Sequence, residues 1–259
     1  MRADTSAFTL DELGVKGVNV IAKRSLEIEM KQIVYLLMIL AFAVASGSAQ
    51  DNSSAPVQPT PAVSANPTDP AGQVRLGMKY ALQYPRDTKS AMIWFKKAAD
   101  QGYADGQYRL GGMYDVAVSP QNPTEAIKWY TLAANQGYKD AQYRLAVMYD
   151  QGRGTTKDYT EAAKWYEKAG TQGRPEAQYR LGEMFEKGQG VPQNYKLAMK
   201  WYQAAALQGR PEAEYKVGYL YEQGLGTPRN NNEAIAWYKK ADKDGYPDAR
   251  DALKALDSK

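Results

Sequence analysis

The five tryptophans of the chain stand at positions 94, 129, 165, 201 and 237, so successive indoles are 35, 36, 36 and 36 residues apart. Five glycines, Gly102, Gly137, Gly173, Gly209 and Gly245, keep the same intervals. A single-core domain gives no reason for such a beat. A stack of like supersecondary units does, because each unit must find its neighbour at a fixed place.

Each unit holds two helical patterns. In PEAQYRLGEMFEKGQG, residues 175–190, Ala177, Leu181, Met184 and Phe185 recur at helical spacing. The same places hold Ala141, Leu145, Met148 and Tyr149 one unit earlier, and Ala213, Val217, Leu220 and Tyr221 one unit later. Pro175, Pro211 and Pro247 suit a first helical position, where an N–H would have no intrahelical partner. In NYKLAMKWYQAAALQG, residues 194–209, Ala198, Trp201, Tyr202 and Ala205 mark the second helix. Seven residues before each Trp stands Asp87, Asn122, Asp158, Asn194 or Asn230, side chains that cap orphan N–H groups at a helix start. The periodic Gly suits the left-handed position just past the helix end.

Each unit therefore predicts an antiparallel helix pair. A Gly-x-Gly loop joins the helices in the last three units (Gly152/Gly154, Gly188/Gly190, Gly224/Gly226), and the first two units have shorter loops. Gly77, Gly111, Ala146, Gly182 and Gly218 fall inside the first helix. Glycine there costs roughly 1 kcal/mol relative to Ala, which points to close helix approach. One pair cannot bury its apolar face alone, but stacked pairs can. The expected fold is all-α: an α/α superhelical solenoid of five helix-pair repeats, period 35–36, over residues 71–102, 104–137, 140–173, 176–209 and 212–245. Residues 246–259 repeat only the first helix and are expected to cap the stack. Trp94, Trp129, Trp165, Trp201 and Trp237 are expected in the core, because they follow the helical period.

The N-terminal seventy residues differ. Ile33–Val44 is an apolar run preceded by Lys31 and followed by the small residues Ala45 to Ala49. Residues 30–49 thus have the parts of a secretory signal peptide, with cleavage expected after Ala49. The run is short of the roughly 20 apolar residues a membrane span takes. Met30 sits just before Lys31, so residues 1–29 are expected to be a misannotated extension ahead of the true start. The alternative is an uncleaved segment that anchors the protein in the inner membrane. Residues 50–70, rich in Pro, Ser and Ala, read as a disordered or polyproline-like linker. The expected location is periplasmic or secreted, with no stable membrane span once the signal is removed.

Composition narrows the chemistry. The 259 residues contain no Cys and no His. That excludes disulfides, thiolate or imidazole metal sites, Cys nucleophiles and His-based triads. Charge is nearly balanced, 33 basic against 29 acidic, too even for a nucleic-acid binder. Residues 71–259 hold 28 basic and 22 acidic residues, a mild preference for acidic partners.

The pattern A-x-x-x-L-G-x-x-Y, then G-x-G, then A-x-x-W-Y-x-x-A-A-x-x-G, at a 36-residue period, resembles the Sel-one-like repeat (SLR) family, relatives of the tetratricopeptide repeats. Tetratricopeptide repeats run at 34 residues with Trp in the first helix; here it is in the second. The resemblance covers about residues 71–258. Ala146, Gly170 and Asp242 depart from the usual motif residues. The resemblance implies a non-enzymatic protein-interaction or adaptor module of a secreted bacterial type, and no cofactor, metal or catalytic residue. A Cys-rich branch is associated with β-lactam binding, but this chain has no Cys, no S-x-x-K and no K-T-G.

Three rows of residues recur with the unit. Arg75, Arg109, Arg144, Arg180 and Lys216 form a basic row. In this fold class first helices usually line the concave side, so the row can orient a carboxylate-bearing partner. The competing reading is ion pairing within the helix, since Asp105, Asp140, Glu176 and Glu212 stand four residues earlier. Tyr108, Tyr143, Tyr179 and Tyr215 precede the basic row and serve either recognition or packing between repeats. Asp115, Asp150, Glu186 and Glu222 end the first helices, where acid opposes the dipole and a base of a neighbouring unit should offset it. The expected function is binding of an unidentified protein or peptide in the concave groove. The alternatives are a cell-wall glycan or muropeptide binder and, third, an unrecognised hydrolase using carboxylates alone.

Overall fold

A computed structural model describes residues 66–83, 85–117 and 121–257. The expected extension, signal segment and most of the linker lie outside the described residues. Those residues form eleven α-helices and one π-helical turn, with no strand among them. The helices are α1 (Pro70–Leu82), α2 (Thr88–Asp100), α3 (Ala104–Gly112), α4 (Pro123–Asn135), α5 (Lys139–Gln151), α6 (Tyr159–Thr171), α7 (Pro175–Lys187), α8 (Tyr195–Ala206), α9 (Pro211–Gln223), α10 (Asn231–Lys243) and α11 (Pro247–Asp257). The π turn, Met113–Ala117, extends α3. Odd and even helices pair within a repeat, and each even helix packs on the next odd one. The result is a helical solenoid ended by α11.

Local chemistry sets the element ends. Asp87, Asn122, Asp158, Asn194 and Asn230 each accept a hydrogen bond from a first-turn backbone N–H, at 2.9–3.2 Å. Past each even helix the periodic glycine takes a φ between 77° and 90°, a left-handed turn that feeds the next first helix. Pro175, Pro211 and Pro247 open α7, α9 and α11.

The core is built from aromatic rings on the even helices set against small residues on the odd ones. Phe95, Tyr130, Tyr166, Tyr202 and Tyr238 are all buried. A Cβ on Gly77, Gly111, Gly182 or Gly218 would come within 2.6–2.8 Å of Phe95, Tyr130, Tyr202 or Tyr238 respectively. The small-residue position is therefore where the ring of the partner helix lands. Trp165 and Trp201 are buried as well, whereas Trp94, Trp129 and Trp237 are half-buried. Lysines lie over Trp94, Trp165 and Trp237 at 3.9, 3.8 and 5.1 Å, so these indoles pack under alkyl stems and cations.

A buried amide relay stitches the repeats together. Gln107, Gln142 and Gln178 donate Nε2 to the carbonyls of Ala99, Ala134 and Gly170 on the preceding even helix. Their Oε1 atoms accept from Gln136, Gln172 and Gln208 at 2.7 Å. In the first repeat Gln73 bonds the carbonyls of Pro67 and Thr68 instead, so the entering chain stands in for a preceding helix. The relay meets the need of buried amides for full hydrogen bonding.

Candidate functional site

Every side chain of the basic and tyrosine rows lies on an odd helix, and the structure shows where each one goes. Arg180 forks onto Asp150 of the preceding repeat, with Nε and Nη2 at 2.8 and 2.9 Å, and also reaches Glu183 at 3.0 Å. Lys216 meets both oxygens of Glu186 at 3.0 Å. Arg144 sits against Tyr108, Tyr130 and Asp115; burial acts to lower its pKa, yet these partners raise it. Asp115 also pairs with Arg153 at 3.0 Å. Only Arg109 uses the acid four residues earlier, Asp105, at 3.0 Å. Arg75 is exposed, 3.9 Å from Asp69.

The acidic row is thus offset from two directions. For Asp150 and Glu186 the next repeat supplies the base, and for Asp150, Glu186 and Glu222 the same repeat's even helix supplies a phenol. Tyr166 donates to Asp150 at 3.1 Å, Tyr238 to Glu222 at 2.9 Å, and Tyr202 to Glu186. Burial, reinforced by those carboxylates, pushes the pKa of Tyr166, Tyr202 and Tyr238 well above the usual phenol range.

The tyrosine row is half-buried between repeats. Tyr108, Tyr143, Tyr179 and Tyr215 tilt against Tyr130, Tyr166, Tyr202 and Tyr238, with centroids 5.3–6.0 Å apart. On the other side they meet the residue that precedes the next odd helix. Tyr138 lies 5.1 Å from Tyr108, and Tyr246 lies 5.1 Å from Tyr215. The guanidiniums of Arg174 and Arg210 stack on Tyr143 and Tyr179 at 4.5 and 4.8 Å. These contacts are good aromatic and cation–π geometry, and they occupy much of each ring.

Between these contacts a depression of about 580 Å3 lies across the third and fourth repeats. Tyr143, Val147 and Gln151 form one wall at four-residue steps along α5. Tyr179, Arg180 and Glu183 of α7 form the facing wall, and exposed Lys157 and stacked Arg210 stand at the margin. Three acids and three bases line it, so it has no net charge and can offer hydrogen bonds and ring faces more than an ion site. Sequence reasoning missed Val147, Gln151, Lys157 and Glu183. Their signal was present: Met78, Gly112, Val147, Glu183 and Tyr219 occupy one repeat position that keeps no residue type, beside rows that do.

Among the described residues no group of three or more Asp or Glu could hold a metal ion. No helix among them is long and apolar enough to cross a membrane.

Comparison with known proteins agrees with the geometry. The Sel1 repeat model matches residues 70–103, 104–138, 139–173, 175–209 and 211–245. A protective antigen of uropathogenic Escherichia coli with an SLR fold is 36% identical, with a TM-score of 0.69 over 73% of this chain and 41% of that one. A Sel1 repeat protein from Oxalobacter formigenes is also 36% identical, with a TM-score of 0.64 over 73% of this chain and 56% of that one. This chain therefore spans about half the length of these two relatives. No curated protein matches it. Sel1 repeats are non-enzymatic scaffolds, typically protein-interaction modules, and with five of them set out in this order the chain belongs to the Sel1 repeat family.

Proposed function

We propose that the chain is a protein-binding adaptor of the bacterial envelope or secreted space, and that the odd-helix face is the concave groove in which a protein or peptide lies. The observation that supports this reading is the depression between the third and fourth repeats. It falls where side chains change from repeat to repeat while their neighbours keep the stack together. Val147 gives apolar contact, tyrosine faces and edges give area at low conformational cost, and Arg210 and Lys157 orient polar groups. The basic row contributes mainly by holding the repeats in register, since Arg180 and Lys216 are engaged by acids of the preceding repeat. The signal-like segment and the linker fit an exported protein whose repeats reach a partner from a tether.

A photo-crosslinking residue at Gln151, tested against one at exposed Lys128, checks the reading. Partner capture from envelope extracts at 151 and none at 128 is the expected result; equal capture at both would remove the groove from consideration. A second reading has its own observation: Tyr143, Tyr159, Tyr166 and Tyr179 all line the depression, as in a site where sugar rings stack. Sedimentation with purified cell-wall sacculi, lost in Tyr159→Ala, would favour that alternative.

A further inference from the structure

The proposed groove has two unlike ends, and we infer that its first-repeat end takes an acidic peptide segment carrying aliphatic side chains. This rests on the groove reading above and adds the chemistry of the occupant. On α5 the wall of the depression is Tyr143, Val147 and Gln151. The equivalent positions are Val74, Met78 and Leu82 on α1, and Tyr108, Gly112 and Val116 at the end of α3 and its π turn. Residues four apart share a helix face, so the strip continues into the first two repeats with its character changed. Arg109 Nη1 reaches Met78 Sδ at 2.7 Å, which places the two rows side by side.

There the outer end of the strip is apolar and open, while Val74 at its inner end is buried in the core. Leu82 is 51% exposed and Val116 61% exposed. Gly112 leaves a recess: a Cβ there would meet only the Tyr130 hydroxyl, at 3.6 Å. Packing therefore gives no reason for the missing side chain. In the last three repeats the corresponding outer residues are Gln151, Lys187 and Gln223.

The same end holds the two arginines that the acidic row does not reach. The residue that would face Arg109 from the first repeat is Ala81, where later repeats have Asp115, Asp150, Glu186 and Glu222. Arg75 has no preceding repeat; its acid is Asp69 at 3.9 Å, and its side chain is 53% exposed. Charge is concentrated there as well. With the acids that pair with these arginines counted, residues 69–105 carry six basic and four acidic residues, whereas 106–257 carry 21 and 19. Of the four acids, Asp69 and Asp105 pair with Arg75 and Arg109, Asp87 caps α2 and Asp100 pairs with Lys96 at 2.7 Å. A carboxylate laid against Arg75 and Arg109, sharing Arg109 with Asp105 and taking Arg75 from its loose contact with Asp69, places aliphatic neighbours over Met78, Leu82 and Val116. A flat lipid surface fits less well, because the strip belongs to the face that lines the groove and not to an outer one.

Selection from a random dodecapeptide phage library on the full chain tests this. The expected result is enrichment of Asp or Glu next to Leu, Ile, Val or Met. Synthetic copies of the selected peptides should bind at least tenfold more weakly to the Arg75→Gln/Arg109→Gln variant. They should weaken as much with Val116→Asp, an exposed change whose fold is checked by an unaltered melting curve. Selected peptides without acids, or acidic peptides that bind both variants as well as wild type, would overturn the inference. If those peptides instead crosslink at residue 151, the groove reading survives without it. If no peptide is enriched, or if anionic vesicles are captured through Arg75 and Arg109, a peptide site at this end is excluded.

Discussion

The first two repeats and the last three come from the same consensus but settle their charges differently. At the junctions of repeats three to five, each base of an odd helix enters the carboxylate at the end of the previous one: Arg180 on Asp150, Lys216 on Glu186. The loops lock in parallel. Gly154, Gly190 and Gly226 have φ between 68° and 74°, and a Cβ on them would overlap the backbone of Pro123, Tyr159 and Tyr195 at the start of the preceding even helix. Between repeats one and two neither device is present. Ala81 takes the place of the acid, Arg109 falls back on Asp105 within its own helix, and the second repeat, whose loop would lock on the start of α2, has no Gly-x-Gly. A repeat that gives up a structural contact leaves its side chains available for something else.

The largest test of this contrast is in the core. Trp201→Ala, at the same repeat position as Trp94, removes a buried indole and leaves a cavity, and should cost about 3–5 kcal/mol in urea unfolding. Trp94→Ala, in the first repeat and only half-buried, should cost less than half of that. Equal losses would mean the two halves are packed alike after all.

Alkaline pH next separates the first repeat from the other four. Burial raises the pKa of Tyr130, Tyr166, Tyr202 and Tyr238 above the ordinary phenol value, while the first repeat has Phe95 in that place. Such groups contribute stability that is whole below the unfolded value of about 10 and falls as pH rises above it, because only the unfolded chain then ionises. Each should steepen the loss by about 1.4 kcal/mol per pH unit. Hydrogen exchange above pH 10 should show repeats two to five opening before the first, and Tyr166→Phe should shallow the pH slope by one tyrosine. A slope that Tyr166→Phe leaves unchanged would deny the buried neutral phenol.

The charge contrast itself is smaller. Arg180→Gln strands Asp150, which is nearly buried, with only the Tyr166 hydroxyl; about 2 kcal/mol should be lost. Arg75→Gln breaks a loose, exposed contact and should change stability by less than about 0.5 kcal/mol. A double-mutant cycle of Arg180 and Asp150, set against one of Arg75 and Asp69, measures the difference directly.

The solenoid was legible in the sequence because its signals are local and repeated five times: caps at Asp87 to Asn230, left-handed glycines, apolar steps of three and four. That a neighbouring unit supplies a base to the acidic row was legible from the helix dipole; that this base is the basic row itself was not. Four-residue spacing makes Glu176–Arg180 visible in one helix, but only the superhelical pitch brings Asp150, thirty residues away, under Arg180. The two rows sharing one period was the available hint. The buried glutamines were passed over for the same reason. Gln107, Gln142 and Gln178 look like solvent positions in a helix pattern until the preceding carbonyl is placed beside them. The helical period placed the Trp in the core, yet in each of the last four repeats the following Tyr is the deeper ring.

The last repeat breaks the relay, and this gives the subtlest prediction. Glu214 stands where earlier repeats have Gln, fully buried, and Asp244 replaces the second Gln. Lys240 lies 2.9 Å from one carboxylate oxygen, but neither oxygen accepts a well-aligned hydrogen bond. Lys240 also reaches the Ala206 carbonyl at 3.5 Å, the task that Gln178 performs for Gly170 one repeat earlier. Burial raises the Glu214 pKa, Lys240 opposes this, and Asp244 adds to it. The neutral acid resembles the amide it replaces, so its contribution is full below the unfolded value of about 4.3 and is lost as pH rises through the folded one. Glu214→Gln should therefore stabilise the protein by about 1 kcal/mol at pH 7 and by almost nothing at pH 4. Thermal melts of the two proteins at both values decide it. A substitution that destabilises at pH 7 would show that the Lys240 pair holds the last repeat more firmly than the amide relay holds the others.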